Sequence, residues 1–408
     1  MIAGKFNPPL AHPLFDPAVY LPRIPLGSCR KCALLSNPST IASGNGLLDA
    51  LRFSLVSVPI VSPSSYKMTK KLSLFQLPYI ALYKILDDVD LDTILPLSLC
   101  SKRAKLAMKN YNGPSKNVNI DFNISQNALK VDNTLLILAR FVPKLPTHLG
   151  KVTIGGYGVP VEIRHGILNT YWTDKKEGMA TIIKYTLDVF NQKLHSVIAY
   201  DPVTTADVKF WMEWIKKFQG KIHKILISFH QNYKERFMSY ILDSDIVTGD
   251  IEQLPYHYGS SGDLWRPRPI SLNYLKLVES DWVTLDCLLV MDIKRIHLER
   301  SVLSPQDINI FLKKWVDEEC SGRIKELFVE IRKSVEIDFG GLLKNIEVTR
   351  RDPDLRRNYV RYKGIEQIFG GFDIRRKTDG AMATVIAYHQ LRSVTVVFWP
   401  DNEGNPYH

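Results

Sequence analysis

The sequence predicts an α/β protein in which three short helices precede a domain of alternating strands and helices, built on a mostly parallel sheet and ending in an antiparallel hairpin. Three observations predict it. Between Gln76 and Lys109 apolar residues recur with helical period. Beyond about residue 115, short apolar runs alternate with amphipathic stretches, the pattern of strands joined by crossover helices. Near the C-terminus the Asp379–Gly380 pair separates two strand-like runs, the signature of a hairpin turn. With 408 residues, 45% hydrophobic and 23% charged, the chain has the length of roughly two or three domains and can bury a sizeable core.

Residues 1–67 hold nine of the 23 prolines and six Lys or Arg against two acids. They have no sustained period, which predicts a disordered extension, and Met68 is placed to act as an alternative start. Pro78 suits the first turn of a helix, where its missing N–H is no loss. Ile80, Leu82, Tyr83, Ile85, Leu86 and Val89 then form a broad apolar stripe. Asp90–Asp92 restarts the chain with carboxylates near a helix N-terminus, and Cys100–Lys109 ends it with basic residues. Pro96 is expected to kink or restart the second helix. Three short helices are too small to bury a core alone, so a partner surface is expected for them.

The strand–helix part places strands at His195–Tyr200, Lys224–Phe229, Arg295–Arg300 and Lys325–Ile331. Their starts are separated by 29, 71 and 30 residues, and the middle gap leaves room for one more unit. Val208, Trp211, Met212, Ile215 and Phe218 mark one helical face, and Ile308, Phe311, Leu312, Trp315 and Val316 another. Ser304-Pro305-Gln306-Asp307 is a helix start. A strand–helix unit of about thirty residues resembles a curved leucine-rich-repeat solenoid with divergent repeats. The units match one another poorly, so a non-repeating α/β sheet stands as the alternative. The expected organisation is an extension at 1–67, a helical unit at 72–111, a strand–helix region at 115–280 and a C-terminal domain at 281–402.

Several chemistries find no support. Five scattered cysteines imply no disulfide framework and fit a reducing compartment. Cys29 and Cys32 form one CxxC with no second pair at zinc spacing. Signal-peptide and membrane-span patterns are missing, so an intracellular location, cytoplasmic or nuclear, is expected. No HExxH, GxxxxGK[ST] or GxSxG is present; Gly155–Gly158 reads as a turn, and Gly259–Gly262 lacks catalytic spacing. The expectation is a non-enzyme without cofactor or metal. Trp211 and Trp315 lie on apolar faces and are expected in the core. The net charge of +11 permits an acidic partner without demanding one.

Leu77-Pro78-Tyr79-Ile80-Ala81-Leu82-Tyr83-Lys84-Ile85-Leu86 resembles the start of an F-box, and Val89, Ile94, Leu97, Leu99 and Cys100 fall on the apolar positions of its second half. The stretch from Leu298 to Ile331, followed by Gly370–Gly371, Asp373–Arg376, Asp379–Gly380 and Trp399-Pro400, resembles the F-box-associated type 2 domain of nematode F-box proteins. The resemblance implies docking on the Skp adaptor of a cullin-based SCF ubiquitin ligase. Leu77, Pro78, Leu82, Ile85, Leu86, Leu97, Leu99 and Cys100 would then contact the adaptor or support the contact. The C-terminal part would bind a substrate protein. A protein-interaction module outside ubiquitin transfer is the second reading.

Between Arg350 and Lys377, nine Lys or Arg stand against four acids. The default reading is a solvated loop; the sharper one is a site for an acidic or phosphorylated substrate through Arg356, Arg357, Arg361, Arg375 and Arg376. Tyr359, Tyr362 and Phe369 could stack on single-stranded nucleic acid, but no recognition module surrounds them and nucleic acid ranks below a protein partner.

Overall fold

The computed structural model describes residues 74–111, 113, 118–228, 237–254, 267–320, 322–332, 339–354, 356–361, 364–388 and 392–399. The extension at 1–67, with Cys29, Cys32 and the Met68 start, lies outside the described residues, as do Gly259–Gly262 and Tyr362.

A 3₁₀ turn at Leu74–Gln76 leads into α1 (Tyr79–Asp87), α2 (Leu91–Leu99) and α3 (Lys102–Asn110). Pro78 stands at the N-cap of α1, just before the first turn, and its carbonyl accepts from the Leu82 N–H at 3.0 Å. Pro96 does not restart the second helix: α2 runs from Leu91 to Leu99 with Pro96 buried inside it. A proline deletes one hydrogen bond, here toward the first turn of a nine-residue helix, and the buried Ile94, Leu95 and Leu97 around it hold the helix in place. Ser101 caps α3, accepting from the Ala104 N–H at 3.0 Å.

Six strands follow: β1 (Ile120–Asn123), β2 (Ala128–Val131), β3 (Thr134–Phe141), β4 (Lys151–Ile154), β5 (Tyr157–Arg164) and β6 (Ile167–Trp172). The first third of the expected strand–helix region is therefore strands alone. Gly155 and Gly156 make the β4–β5 turn at φ of 58° and 91°, values that glycine adopts without steric cost. Strand–helix alternation begins with α4 (Lys175–Phe190), β7 (Leu194–Tyr200), α5 (Thr205–Phe218), β8 (Ile222–Ser228), α6 (Phe237–Asp243), β9 (Val247–Gln253) and β10 (Ile270–Leu277). It continues with α7 (Leu285–Val290), β11 (Met291–Ser301), α8 (Pro305–Val316), β12 (Glu326–Ile331) and a turn of helix, α9 (Phe339–Leu342). The gap expected to hold one more unit contains two strands, β9 and β10. Last come β13 (Thr349–Arg350), β14 (Arg356–Arg361), β15 (Gly364–Phe369), β16 (Phe372–Arg375), β17 (Met382–Tyr388) and β18 (Ser393–Phe398).

The helix-start signals hold. Ser304 and Asp307 form a reciprocal capping box with Pro305 at the first helical position of α8. Asp174, Thr204 and Thr284 cap α4, α5 and α7.

One sheet of sixteen strands results, in the order β13-β16-β17-β18-β12-β11-β10-β9-β8-β7-β1-β2-β3-β6-β5-β4; β14 and β15 pair separately. Its centre, β1 and β7 through β12, is parallel throughout, and both flanks are largely antiparallel. Strands β7 to β12 are added in sequence order in one direction, so right-handed crossovers carry their helices to one face. On that face the register aligns Val197, Ile225, Ile251, Leu275, Ile296, Leu327 and Val396 in one row across seven strands, each at most 1% exposed. The helices close over it with most of the faces predicted: Val208, Trp211, Met212 and Ile215 from α5, and Ile308, Phe311, Leu312 and Trp315 from α8, are all buried, whereas Val316 is half-buried and Phe218, the last residue of α5, is exposed. Trp211 meets Phe122 edge-on at 4.9 Å, and Trp315 meets Phe398 at 5.0 Å.

Candidate partner-binding surfaces

The N-terminal helices pack on the sheet itself. α2 lies against β3 and β4, and α3 against α4. The Ser98 and Tyr185 hydroxyls meet at 3.1 Å in the buried contact between α2 and α4. Lys105 and Lys109 each reach Asp188 at 2.6 Å. Burial alone would raise the Asp188 carboxyl, but the hydrogen bonds and charges of the two lysines hold it below its ordinary range.

This placement revises the expected docking face. Leu82, Leu86 and Leu97 are buried in the chain's own core, so they support the unit from within. Leu77 and Leu99 are half-buried against the same core. Cys100 is half-buried, its thiol directed at the Pro96 carbonyl at 3.6 Å and its pKa raised by burial. Ile85 is half-buried outside the cluster, and Pro78 is exposed. The most exposed apolar side chains of the unit are Tyr79 (55%), Ile80 (81%) and, on α3, Leu106 (51%). Periodicity had marked an apolar stripe; it could not say which residues the chain itself covers.

The sheet's other face is polar, its side chains half-buried to buried. Opposite the aliphatic row, the register aligns Ser196, Lys224, Asp250, Tyr274, Arg295 and Glu326, and then Ile198, Leu226, Glu252, Lys276, His297 and Phe328. Lys224 bonds Glu252 at 2.5 Å, and Glu299 receives Lys276 at 3.0 Å and His297 at 3.2 Å. Burial works against the Glu299 charge, but the bonds from His297 and Lys276 outweigh it and lower the carboxyl pKa to about 2. The His297 ring stacks on Phe328 at 4.1 Å. These residues were not singled out from sequence, although the alternation in Arg295-Ile-His-Leu-Glu299 and Glu326-Leu-Phe-Val-Glu330 carried the signal of a half-accessible strand face.

At the C-terminal end this face is covered. The stretch read by default as a solvated loop is the β14–β15 hairpin, and its Tyr359 and Ile368 join Met382, Ile386, Val397 and Trp399 in a separate apolar cluster. Asp373, 3% exposed, accepts from Arg351, from Arg357 at 3.3 Å and from Thr384 at 2.6 Å. The Trp399 indole N–H donates to Thr384 at 2.7 Å. Arg357 lies 4.8 Å from the Trp399 ring centroid, with its Nε and Nη1 buried and without hydrogen-bond partners among the described residues. Arg376 pairs with Asp379 at 2.5 Å and packs over Trp315. Of the five arginines read as a substrate site, Arg357 and Arg376 are thus engaged within the fold. Arg356 and Arg375 are exposed, Arg356 lying over the exposed Phe369, and the Arg361 side chain lies outside what the structure describes. The five are not brought together into one described site.

A cavity of about 440 Å³ lies between the N-terminal helices and the start of the sheet, lined by Leu86, Asp87, Asp90, Asp92, Tyr111 and Asp132 among others. The Tyr111 hydroxyl donates to Asp87 at 2.5 Å. Among the described residues no group of His, Cys, Asp or Glu is arranged to hold a metal ion, and no described helix is long and apolar enough to cross a membrane.

Residues 268–328, which carry β10, α7, β11, α8 and the start of β12, match a family model described as F-box associated. The chain is also similar to the E3 ubiquitin-protein ligase hecw-1 of Caenorhabditis elegans, at 21% identity over 301 residues, covering 67% of this chain. That alignment spans 24% of the ligase's own length. No solved structure matches.

Proposed function

We propose that this protein is a substrate-recognition adaptor of an SCF-type ubiquitin ligase, its N-terminal helices binding a Skp adaptor and its sheet domain holding a substrate protein. One observation carries the reading: an F-box-associated match at residues 268–328 lies downstream of a three-helix unit that begins with Leu77-Pro78. The similarity to an E3 ubiquitin ligase supports the same setting. The chain itself performs no bond chemistry; holding a substrate beside a charged conjugating enzyme raises its effective concentration, and transfer follows. In this scheme Leu82, Leu86 and Leu97 hold the helical unit in shape, while Leu77, Pro78, Tyr79 and Ile80 meet the adaptor.

The test is association of the full chain with a Skp adaptor in a purified pull-down. Wild type is expected to bind, and a Leu77→Ala, Pro78→Ala double variant is expected to lose most binding while melting at nearly the wild-type temperature. No association of the wild type above background refutes the adaptor reading. The reading then favoured is an interaction module that uses the exposed Tyr79 and Ile80 for a partner outside ubiquitin transfer.

A further inference from the structure

An amphipathic helix ordinarily gives its outer flank to polar residues. On α5 that flank carries Phe210, Trp214 and Phe218, one turn apart, in a stripe beside the core-facing residues. Phe210 and Trp214 are half-buried, and Phe218 is 42% exposed. Trp214 and Phe218 stack on each other with ring centroids 5.0 Å apart.

The neighbouring helix α4 lays two lysines over this stripe. The Lys176 ammonium sits 4.0 Å from the Phe210 ring centroid, and that of Lys184 lies 5.8 Å from Trp214 and 5.9 Å from Phe218. Both lysines are exposed, and neither has an ion pair or side-chain hydrogen bond among the described residues. Lys217, three places beyond Trp214 and so on the same side of α5, is exposed as well. The carboxylates of the two helices are engaged elsewhere. Glu177 accepts from Tyr157 at 2.5 Å, Asp188 from Lys105 and Lys109 at 2.6 Å, Asp207 from Thr204 at 2.8 Å and Glu213 from Tyr240 at 2.9 Å. Three cations thus frame an aromatic strip, in a protein of net charge +11.

A ring face attracts an ammonium but offers it no lone pair, so each lysine keeps N–H groups for an outside acceptor. An exposed lysine ordinarily loses rotamer freedom when it pairs, which cancels much of the gain. Here the rings already hold Lys176 and Lys184 in place, so less freedom remains to be lost when a partner arrives.

We propose that the groove between α4 and α5 binds an acidic segment of a partner protein, its carboxylates taken by Lys176, Lys184 and Lys217 and its apolar side chains by Trp214 and Phe218. Single-stranded nucleic acid fits less well, because bases stack on open ring faces. The faces of Trp214 and Phe218 are given to each other and to Lys184. The inference rests on the adaptor reading only in calling the bound protein a substrate.

The test uses the full chain and a fluorescein-labelled peptide of repeated Glu-Glu-Leu, followed by anisotropy. Gln-Gln-Leu and Lys-Lys-Leu repeats of equal length and an oligouridylate serve as comparisons. The acidic peptide is expected to bind with salt-sensitive affinity, and the neutral and basic ones not to bind. A Lys176→Glu, Lys184→Glu variant is expected to weaken the acidic peptide by about tenfold. Lys344→Glu, Arg350→Glu, the same charge change at exposed positions toward the other end of the sheet, is expected to leave it nearly unchanged. Phe218→Ala, which removes an exposed ring, is expected to weaken binding several-fold and keeps the test decisive should the double lysine variant fail to fold.

No binding of the acidic peptide, or equal affinity for the acidic and neutral ones, overturns the proposal. Equal weakening by the two double variants overturns it too, as does a Phe218→Ala variant that binds like wild type. An oligouridylate that binds more tightly than the acidic peptide, and is lost with Lys176→Glu, Lys184→Glu, replaces it with a nucleic-acid site. Adaptor binding without acidic-peptide binding defeats this inference alone. Acidic-peptide binding without adaptor binding defeats the adaptor reading and leaves the groove standing.

Discussion

The two ends of the sheet are each covered by an added unit, and they are fastened by opposite means. At the N-terminal end, three helices insert Leu82, Leu86, Leu97 and Met108 into the common core, and charges pair with the sheet domain at the rim, where Lys105 and Lys109 meet Asp188. At the C-terminal end, a hairpin lies on the opposite face and is tied down by a buried carboxylate, Asp373, shared by two arginines and a threonine. The first attachment is non-directional and tolerates small shifts. The second works only while each partner is in place, because buried charges are costly when unpaired. The helical unit thus sits on the forgiving attachment, and the hairpin sits on the exacting one.

The largest effect should come from the exacting side. Asp373→Ala leaves Arg351 and Arg357 without their shared carboxylate and is expected to cost about 3–5 kcal/mol, read by urea denaturation. A loss within 1 kcal/mol would show that the hairpin is held by its apolar cluster and would remove the contrast. Leu97→Ala should follow at about 2–5 kcal/mol, with the spread set by how far α2 can close the gap. Should Ile80→Ala cost as much as Leu97→Ala, the assignment of inner and outer sides of the unit would be wrong.

The smallest effect concerns the rim. The folded-state pKa of Asp188 is depressed, so its contribution is present above the ordinary value of 3.8 and lost as pH falls through the lower folded value. Asp188→Asn is therefore expected to lower stability slightly at neutral pH and to flatten the acid limb below 3.8, measured by thermal melts across pH. An unchanged acid limb would mean that the lysines are solvated rather than paired, as exposed pairs often are.

What could be read from sequence was what is local. The capping box at Ser304–Asp307 and the apolar faces of α5 and α8 repeat within a few residues, and each appears where expected. The Asp379–Gly380 turn lies between β16 and β17 for the same reason. What failed depended on distant partners. Leu82 and Leu86 read as part of an apolar stripe in need of a partner surface, because periodicity reports that a face exists and is silent about its cover. The β14–β15 hairpin read as a loop because Arg357 is a buried residue only by virtue of Asp373 and Trp399, which lie sixteen and forty-two positions away. The paired polar face escaped notice because Lys224 and Glu252, like Lys276 and Glu299, meet only across neighbouring strands.

The aliphatic row from Val197 to Val396 has a practical consequence for anyone cutting the chain. Because one continuous ladder crosses seven strands, no internal boundary coincides with a natural seam. A fragment beginning at residue 281, where the C-terminal domain was expected to start, would strip β10 from β11 and expose a full-length strand edge with unpaired N–H and C=O groups. Such a piece would be prone to self-association through that edge. Swapping in a foreign C-terminal module by recombination would meet the same obstacle.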